Sequence, residues 1–216
     1  MDVGCGDAYV VRNLFDERVV QQIDGIDIHL SESKIEKLSD LNANIKLHRS
    51  FENLNKNFYN VVLLLDVLEH IEDDHAFLNS IISQYVEPGG YVLITVPAFN
   101  SIFSLHDTFL GHYRRYNLKQ LIHRINGVPL QCLFCGYLFM SLLPVRLCSL
   151  LLENLFSEKK GSNKGIGAWR HGQMITKAVE LVLSFENSML IYINRAGIKL
   201  PGLTAWALCQ KTDTEI

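Results

Sequence analysis

The chain has 216 residues, of which 48% are hydrophobic, and its formal net charge at pH 7 is −3. A chain of this length and composition can bury a sizeable core, so it most simply forms a single domain over residues 1–216. The slightly acidic balance supplies no basic field for nucleic acid, and we expect no nucleic-acid partner. Five scattered cysteines predict reduced thiols and a cytoplasmic protein.

Strand-length and helix-length segments alternate along the first 130 residues. MDVGCGDA (1–8) leaves only three residues of strand before a glycine-rich turn. A helix is predicted over 30–44, with Ser31 or Ser33 as its N-cap, and a second from His70 to the Pro88-Gly89-Gly90 stop. Runs that are apolar on both faces indicate a parallel sheet covered on each side, and they fall at 23–28, 44–50, 60–67 and 90–97.

The pattern changes after residue 130, where long apolar segments replace the alternation. PLQCLFCGYLF (129–139) is typical of a strand, in which Cys132 and Cys135 would face opposite sides, so we predict buried thiols and no metal site. The apolar run 136–156 contains Pro144 and Arg146, which favours a helix that is buried or lies on a bilayer surface over a membrane span. A basic loop (157–172), a helix (174–197) and a last strand (202–212) follow. We therefore predict a cofactor-binding core at 1–130 and a helical insertion at 136–200.

The glycine turn and a later carboxylate indicate a nucleoside ligand. Gly4 and Gly6 allow a sharp turn that a ligand can approach closely, and Asp27 ends the next strand, where a carboxylate can bind ribose hydroxyls. Tyr9 occupies the third glycine position of the dinucleotide fingerprint, which makes an NAD(P)-dependent oxidoreductase the weaker alternative. In a purely structural interpretation, the glycines make a tight turn and Asp27 caps a helix.

Four segments in register resemble one family: DVGCGDA, GIDI, LLLDVLEHIED and VEPGGYVLITVP. In these motifs the chain is similar to the class I S-adenosylmethionine-dependent methyltransferases of the small-molecule type. The resemblance implies an α/β, Rossmann-like methyltransferase fold, with a mostly parallel sheet, an antiparallel last strand and a helical insertion before that strand. It also implies S-adenosylmethionine as the cofactor and in-line methyl transfer to a small-molecule or lipid-like acceptor.

The resemblance also implies roles for individual residues of the cofactor pocket. Where many relatives carry an acidic residue that binds the adenine amino group, this chain has Ser50 followed by Phe51. His70 either lines the pocket or satisfies local backbone groups. The remaining implied contacts are Asp2, Gly4 and Gly6 around the methionine end, Asp27 at the ribose, Ile28 at the adenine face, and Asp66 and Val67 near the sulfonium.

Candidate acceptor residues cluster in SLHDTFLGHYRRYNLKQL (104–121), where HD…GHxRRY looks like the pattern of one subset of these enzymes. His106 and His112 are candidate bases, because histidine exchanges protons near neutral pH. The predicted acceptor-binding residues are Asp107, Arg114, Arg115 and Tyr116, and paired arginines suit a carboxylate or phosphate. In the alternative interpretation the arginines are solvated and Tyr116 and Leu118 begin a capped helix.

Two further expectations concern the whole chain. Three residues are few for a central strand, so we expect the natural domain to extend upstream. The apolar run 136–156 beside the basic loop predicts peripheral contact with a membrane. A methyltransferase-like fold that binds a ligand without turnover is the alternative to an enzyme.

Overall fold

The computed structural model describes residues 1–39, 43–54, 59–155 and 172–212. The strands are β1 (Asp2–Val3), β2 (Ile23–Ile26), β3 (Ile45–His48), β4 (Tyr59–Leu65), β5 (Val86–Pro97), β6 (Leu130–Leu138) and β7 (Thr204–Lys211). The helices are α1 (Tyr9–Asp16), α2 (Glu32–Ser39), α3 (Asp74–Tyr85), α4 (Leu105–Phe109), α5 (Leu118–Asn126), α6 (Leu142–Leu155) and α7 (Gln173–Arg195). Short 3₁₀ turns lie at Phe51–Asn53, Leu68–His70 and Asn100–Ile102.

All seven described strands form one sheet in the order β3-β2-β1-β4-β5-β7-β6. β7 runs antiparallel to both of its neighbours, and the other pairings are parallel. β1 lies in the interior of the sheet, where Asp2 is in register with Gly25 on one side and Leu63 on the other. The predicted fold class, a mostly parallel sheet with an antiparallel last strand, is confirmed.

Two hydrophobic clusters stabilise the layers. The larger one joins Val62 and Ile94 of the sheet to Leu78 of α3 and Leu121 of α5, and all four side chains are fully buried. The smaller one packs Val11 of α1 against residues of β2 and β3. The sheet order then brings the carboxyl ends of β1, β2 and β4 together, because parallel neighbours end at the same edge.

Two boundaries in the middle of the chain differ from the sequence expectation. α3 begins at Asp74 rather than at His70, since the Asp73 side chain caps the helix by accepting the Ala76 N–H at 3.0 Å. β5 begins at Val86 rather than at residue 90, so Pro88-Gly89-Gly90 lies inside the strand. The pairing with β4 is irregular there, between Tyr59 and Val61, and the extra residues are accommodated at this irregularity.

The helical insertion begins later than the sequence suggested. Residues 136–138 belong to β6, so α6 starts at Leu142, and α6 and α7 both lie between the last two strands of the chain. Most of the predicted basic loop, 157–171, lies outside the described residues. Among the described residues, no helix combines the length and the apolar character needed to cross a bilayer.

A bulge in β6 overturns the expected placement of two cysteines. Cys132 pairs with Cys209 and Phe134 with Leu208, which leaves Leu133 as an extra residue. Cys135 then pairs with Ala207, two residues from Cys209, so Cys132 and Cys135 share a face. The expectation of opposite faces is wrong because a bulge shifts the two-residue alternation by one. The Lys199 ammonium donates to the Cys135 sulfur at 2.7 Å.

We expect Cys132 to react as a thiolate at neutral pH. A hydrogen bond from Cys209 lowers its pKa to about 6 despite burial, with further contributions from Cys135 and Lys199. Alkylation by iodoacetamide, followed by mass spectrometry, should reach half its maximal rate near pH 6 and level off above pH 7. The alkylated peptide that is lost in a Cys132→Ser variant is the one that contains Cys132. A rate at Cys132 that still rises between pH 8 and pH 9 would contradict the expectation.

Candidate cofactor and acceptor site

The glycine turn follows β1 directly and is tied to the end of β2. The backbone N–H groups of Gly4 and Cys5 both donate to the Ile26 carbonyl, at 2.7 and 3.0 Å. Gly4 and Gly6 have φ of +74° and +57°, the left-handed region that side chains disfavour. A Cβ at Gly4 would lie 2.6 Å from the Val67 side chain, whereas a Cβ at Gly6 would meet no described atom within 4 Å. The turn therefore packs on one side and is open on the other.

The Asp27 carboxylate lies against this turn. One of its oxygens accepts the Gly6 N–H at 2.9 Å, and the other accepts the His29 N–H at 2.8 Å. A carboxylate oxygen has two acceptor positions, so each keeps one for a ligand hydroxyl. Ile28, the next residue, is 70% exposed and offers an apolar contact. Gly6, Asp27 and Ile28 therefore meet at one edge of the sheet.

Asp66 and Val67 continue the site at the end of β4. Asp66 has φ of +54°, and Thr95 holds it: the Asp66 N–H donates to the Thr95 carbonyl at 3.0 Å and the Thr95 hydroxyl donates to Oδ1 at 3.1 Å. Burial raises the pKa of Asp66, although the Thr95 hydrogen bond lowers it. Strained backbone of this kind is often found at functional sites. The Val67 side chain is the one that fills the space beside Gly4.

Two carboxylates lie beneath the glycine turn. Asp2 is 2% exposed, and burial raises its pKa to about 6 despite the nearby terminal amino group. Asp24, which the sequence analysis did not single out, is also buried and lies 2.8 Å from the His48 ring. The sequence pattern does not reveal that Asp24 is buried and paired, because its partner, His48, lies on the neighbouring strand β3.

Ser50 and Phe51 lie where β3 leads into the first 3₁₀ turn. Ser50 precedes that turn, and the Phe51 ring packs on Tyr85 with 5.3 Å between ring centroids. Phe51 also contacts the margin of the larger hydrophobic cluster. The structure thus gives Phe51 a packing role, and its contact with adenine stays a prediction.

Glu69 is a site residue that the sequence analysis missed. It is fully buried, and neither carboxylate oxygen has a hydrogen-bond partner in the described part of the chain. Burial raises its pKa to about 8, and the charge of Asp66 adds to the effect. His70, the next residue, is exposed and meets the edge of the His112 ring, with centroids 4.6 Å apart. Burial and His112 lower the pKa of His70.

A buried charge network fixes the segment that follows β5. Asp107 is fully buried; it accepts the Arg115 Nε–H at 2.7 Å and the Ser104 N–H at 2.9 Å, and its Oδ1 lies 3.1 Å from His112 Nδ1. Burial acts to raise the pKa of Asp107, but Arg115, Ser104 and His112 together outweigh burial and the pKa is lowered. Arg146 of α6 approaches the same carboxylate at 3.7 Å. His112 is therefore held in one orientation by a charged partner.

The other predicted acceptor residues also have partners inside the protein. Arg114 lies 3.1 Å from Asp74 and donates to the Glu72 carbonyl at 2.7 Å. The buried Tyr116 hydroxyl donates to Asp74 at 2.7 Å. α5 begins at Leu118 after an Asn117 cap, as in the alternative interpretation, which began a capped helix at Tyr116 and Leu118. Asp107, Arg114, Arg115 and Tyr116 are thus internally paired, and their contact with an acceptor stays a prediction. His106 lies half-buried in α4 beside Asp107.

Alanine at the two glycines should separate stability from ligand binding. Gly4→Ala should lower the free energy of unfolding by about 1–3 kcal/mol more than Gly197→Ala, because its Cβ must displace Val67. Gly197 has φ of +84° and no described atom within 4 Å of an added Cβ. Gly197→Ala therefore measures only the loss of stability caused by a side chain in left-handed backbone. Gly6→Ala should match Gly197→Ala in urea denaturation but bind S-adenosylhomocysteine at least about tenfold more weakly in calorimetry. Unchanged affinity in Gly6→Ala would contradict this placement of the ligand.

These residues fit a nucleoside ligand. The open side of Gly6 adjoins a carboxylate with free acceptor positions, while Ile28 and Val67 supply apolar surface nearby. The fold and this edge define a Rossmann-like protein of the methyltransferase class, which holds its ligand across the carboxyl ends of parallel strands.

Comparison with known proteins makes the assignment specific. A family model described as a methyltransferase domain matches residues 1–133, and the chain belongs to that family. It is a methyltransferase, and S-adenosylmethionine is its cofactor.

Solved structures share the fold at low sequence identity. An S-adenosylmethionine-dependent methyltransferase from Mesorhizobium loti is 10% identical, with a TM-score of 0.56, over 97% of this chain and 89% of that one. One from Archaeoglobus fulgidus is 15% identical, with a TM-score of 0.51, over 97% and 84%. The plantazolicin methyltransferase BamL, solved with S-adenosylhomocysteine and a plantazolicin analogue, is 13% identical, with a TM-score of 0.54, over 98% and 76%.

Proposed function

We propose that this methyltransferase acts on a small-molecule or lipid-like acceptor, and that Asp27, Gly4 and Gly6 hold the cofactor. The observation that carries the proposal is the hydrogen bond from the Gly6 N–H to Asp27, which joins the glycine turn to the carboxylate at one edge of the sheet. When bound, S-adenosylmethionine supplies an activated methyl group on sulfur. The protein then has to orient the acceptor and exclude water.

Exposed apolar surface on the helical insertion supports an amphipathic acceptor. α7 exposes Leu181, Phe185 and Tyr192, each more than 70% accessible, and α6 exposes Val145 and Leu151. Leu181, Phe185 and Tyr192 share one face of α7 by their spacing, and exposed apolar surface of this kind is typical of contact with lipids or other apolar molecules. We therefore propose peripheral contact with a membrane; the cytoplasmic location that we also propose is supported by the free cysteines.

If the acceptor atom carries a proton, a base must remove that proton for the methyl group to be transferred. His112 is the better-oriented candidate, because Asp107 engages its Nδ1 and leaves Nε2 available. His106, on the adjoining helix, is the second candidate. Asp107 and Arg115 act as positioning residues in this arrangement, since they hold His112 rather than contact the reacting atoms.

A methylation screen tests the proposal directly. The purified chain is incubated with methyl-labelled cofactor and separate aqueous and lipid extracts, and the Asp27→Ala variant serves as the inactive control. We expect a labelled product in the lipid fraction. Cofactor binding without any labelled product would contradict the proposal and favour a binding role without turnover.

Flotation with anionic vesicles at low salt tests the membrane contact. The protein should rise with the vesicles, because electrostatic attachment is strongest when salt is low. Protein that stays at the bottom of the gradient would contradict the peripheral placement.

A further inference from the structure

Three potential metal ligands meet between the turn after β4 and the loop before α5. Glu69 and His70 lie on the 3₁₀ turn Leu68–His70, and His112 lies between α4 and α5. One ligand atom from each residue lies within 4.8 Å of the other two. We propose that Glu69, His70 and His112 bind a divalent metal ion of the zinc class on the side of the site where we expect the acceptor.

The Glu69 side chain is the strongest argument for a bound cation. It is fully buried, and both carboxylate oxygens are without a hydrogen-bond partner among the residues described. Buried polar groups in native proteins are almost always paired, since an unpaired group retains its full desolvation cost. One Glu69 oxygen lies within 4.8 Å of a ring nitrogen of His70 and of His112, and neither imidazole carries a permanent positive charge. A cation between the three side chains supplies the partner that Glu69 lacks.

The histidines are arranged as metal ligands usually are. Asp107 lies 3.1 Å from Nδ1 of His112, which leaves Nε2 for the metal. A carboxylate behind a ligating histidine fixes the ring and strengthens it as a ligand. Asp107 is itself held by Arg115 at 2.7 Å, so the His112 ring is anchored from behind. The exposed His70 forms the solvent side of the cluster.

The distances suit an ion after small rotations of the side chains. Zinc binds nitrogen and carboxylate oxygen at about 2.0–2.2 Å, so in a tetrahedral site two of its ligand atoms lie about 3.3–3.6 Å apart. Two imidazoles and one carboxylate are one of the donor sets of catalytic zinc sites, which keep a fourth position open. That position can bind and acidify an acceptor hydroxyl. This last consequence rests on the proposed function; His112 is then a ligand, and His106 remains the candidate base.

Titration of the chain with metal alone tests the site. The tag-free protein is stripped with a chelator, dialysed, and titrated with ZnCl₂ in a calorimeter and with CoCl₂ by visible absorption. We expect one ion per chain, and Glu69→Gln and His112→Ala should each weaken binding by at least about tenfold. His123→Ala is the matched control, because it removes an exposed histidine of α5 from a different surface. Its affinity should equal that of the unchanged protein.

Three results would overturn the site: no stoichiometric zinc binding, equal weakening in His123→Ala, or unchanged binding in Glu69→Gln. Thermal unfolding in the presence of chelator shows whether each variant is folded. If His112→Ala does not fold, the nearly isosteric Glu69→Gln variant alone tests the site. Calorimetry with S-adenosylhomocysteine on the metal-free protein is run separately. A chain that binds this ligand but not zinc overturns the metal site alone, whereas one that binds zinc but not the ligand overturns the proposed function.

Discussion

Replacing Asp27 by alanine should weaken the binding of S-adenosylmethionine by at least about 100-fold. A hydrogen bond to a charged group contributes roughly 1.5–3 kcal/mol, and a ribose has two hydroxyls for this carboxylate. Asp27 also accepts the Gly6 and His29 N–H groups, so its loss loosens the glycine turn as well. Both effects act in the same direction. Isothermal calorimetry with S-adenosylmethionine and S-adenosylhomocysteine measures the change.

The matched control is Asp16→Asn, which removes an exposed carboxylate at the end of α1. Its affinity should stay within twofold of the original protein, about the scatter expected of a substitution outside the site. Asp27→Asn keeps the size of the side chain and one acceptor oxygen, so it should fall between the two. An affinity that is unchanged in Asp27→Ala, or reduced equally in Asp16→Asn, would show that the cofactor does not bind at this carboxylate.

The contact between the glycine turn and Asp27 was largely predictable from the sequence, because its requirements are local. Gly4 and Gly6 are recognisable because a tight turn needs left-handed backbone, and both residues adopt it. Asp27 is recognisable because it follows the buried strand after the glycine turn, where a carboxylate can bind ribose hydroxyls. The parallel sheet brings these segments together without further information, since its strands end at one edge.

The pairings in the segment after β5, where we expect the acceptor, were not predictable in the same way, because they join distant parts of the chain. Arg114 contacts Asp74 across 40 residues, and Arg146 of α6 approaches Asp107. A sequence pattern shows that arginines and histidines are abundant here but not which of them are buried. Glu69 has no periodic signal at all, since a single 3₁₀ turn is too short to show a buried face.

Packing irregularities account for the remaining differences. The bulge at Leu133 changes which face Cys135 occupies, and the irregular pairing near Tyr59 lets β5 begin before Pro88. A bulge adds one residue to one strand, and nothing in that strand alone marks its position. Register errors of this kind reverse side-chain faces while leaving the strand itself correctly assigned.

Replacing Asp107 by asparagine should lower the free energy of unfolding by about 3–5 kcal/mol, the usual effect of leaving a buried ion without its partner. Asp107 is fully buried and Arg115 is 8% exposed, so water cannot replace the lost charge. Asparagine keeps only one acceptor oxygen, so its NH2 group would face either the Arg115 Nε–H or the Ser104 N–H, which is itself a donor. Urea denaturation, monitored by circular dichroism, measures the change.

Two further variants test whether the loss of stability in Asp107→Asn arises from the burial of the ion pair. Glu32→Gln removes one partner of an exposed pair, 3.8 Å from Arg49, and should cost no more than ~1 kcal/mol. Arg115→Met in the Asp107→Asn background removes the stranded cation as well. This double variant should therefore recover part of the lost stability, because the cost lies mainly in the uncompensated charge rather than in the missing contact. A loss in Asp107→Asn that matches the one in Glu32→Gln would show that the network does not hold the segment that carries His112.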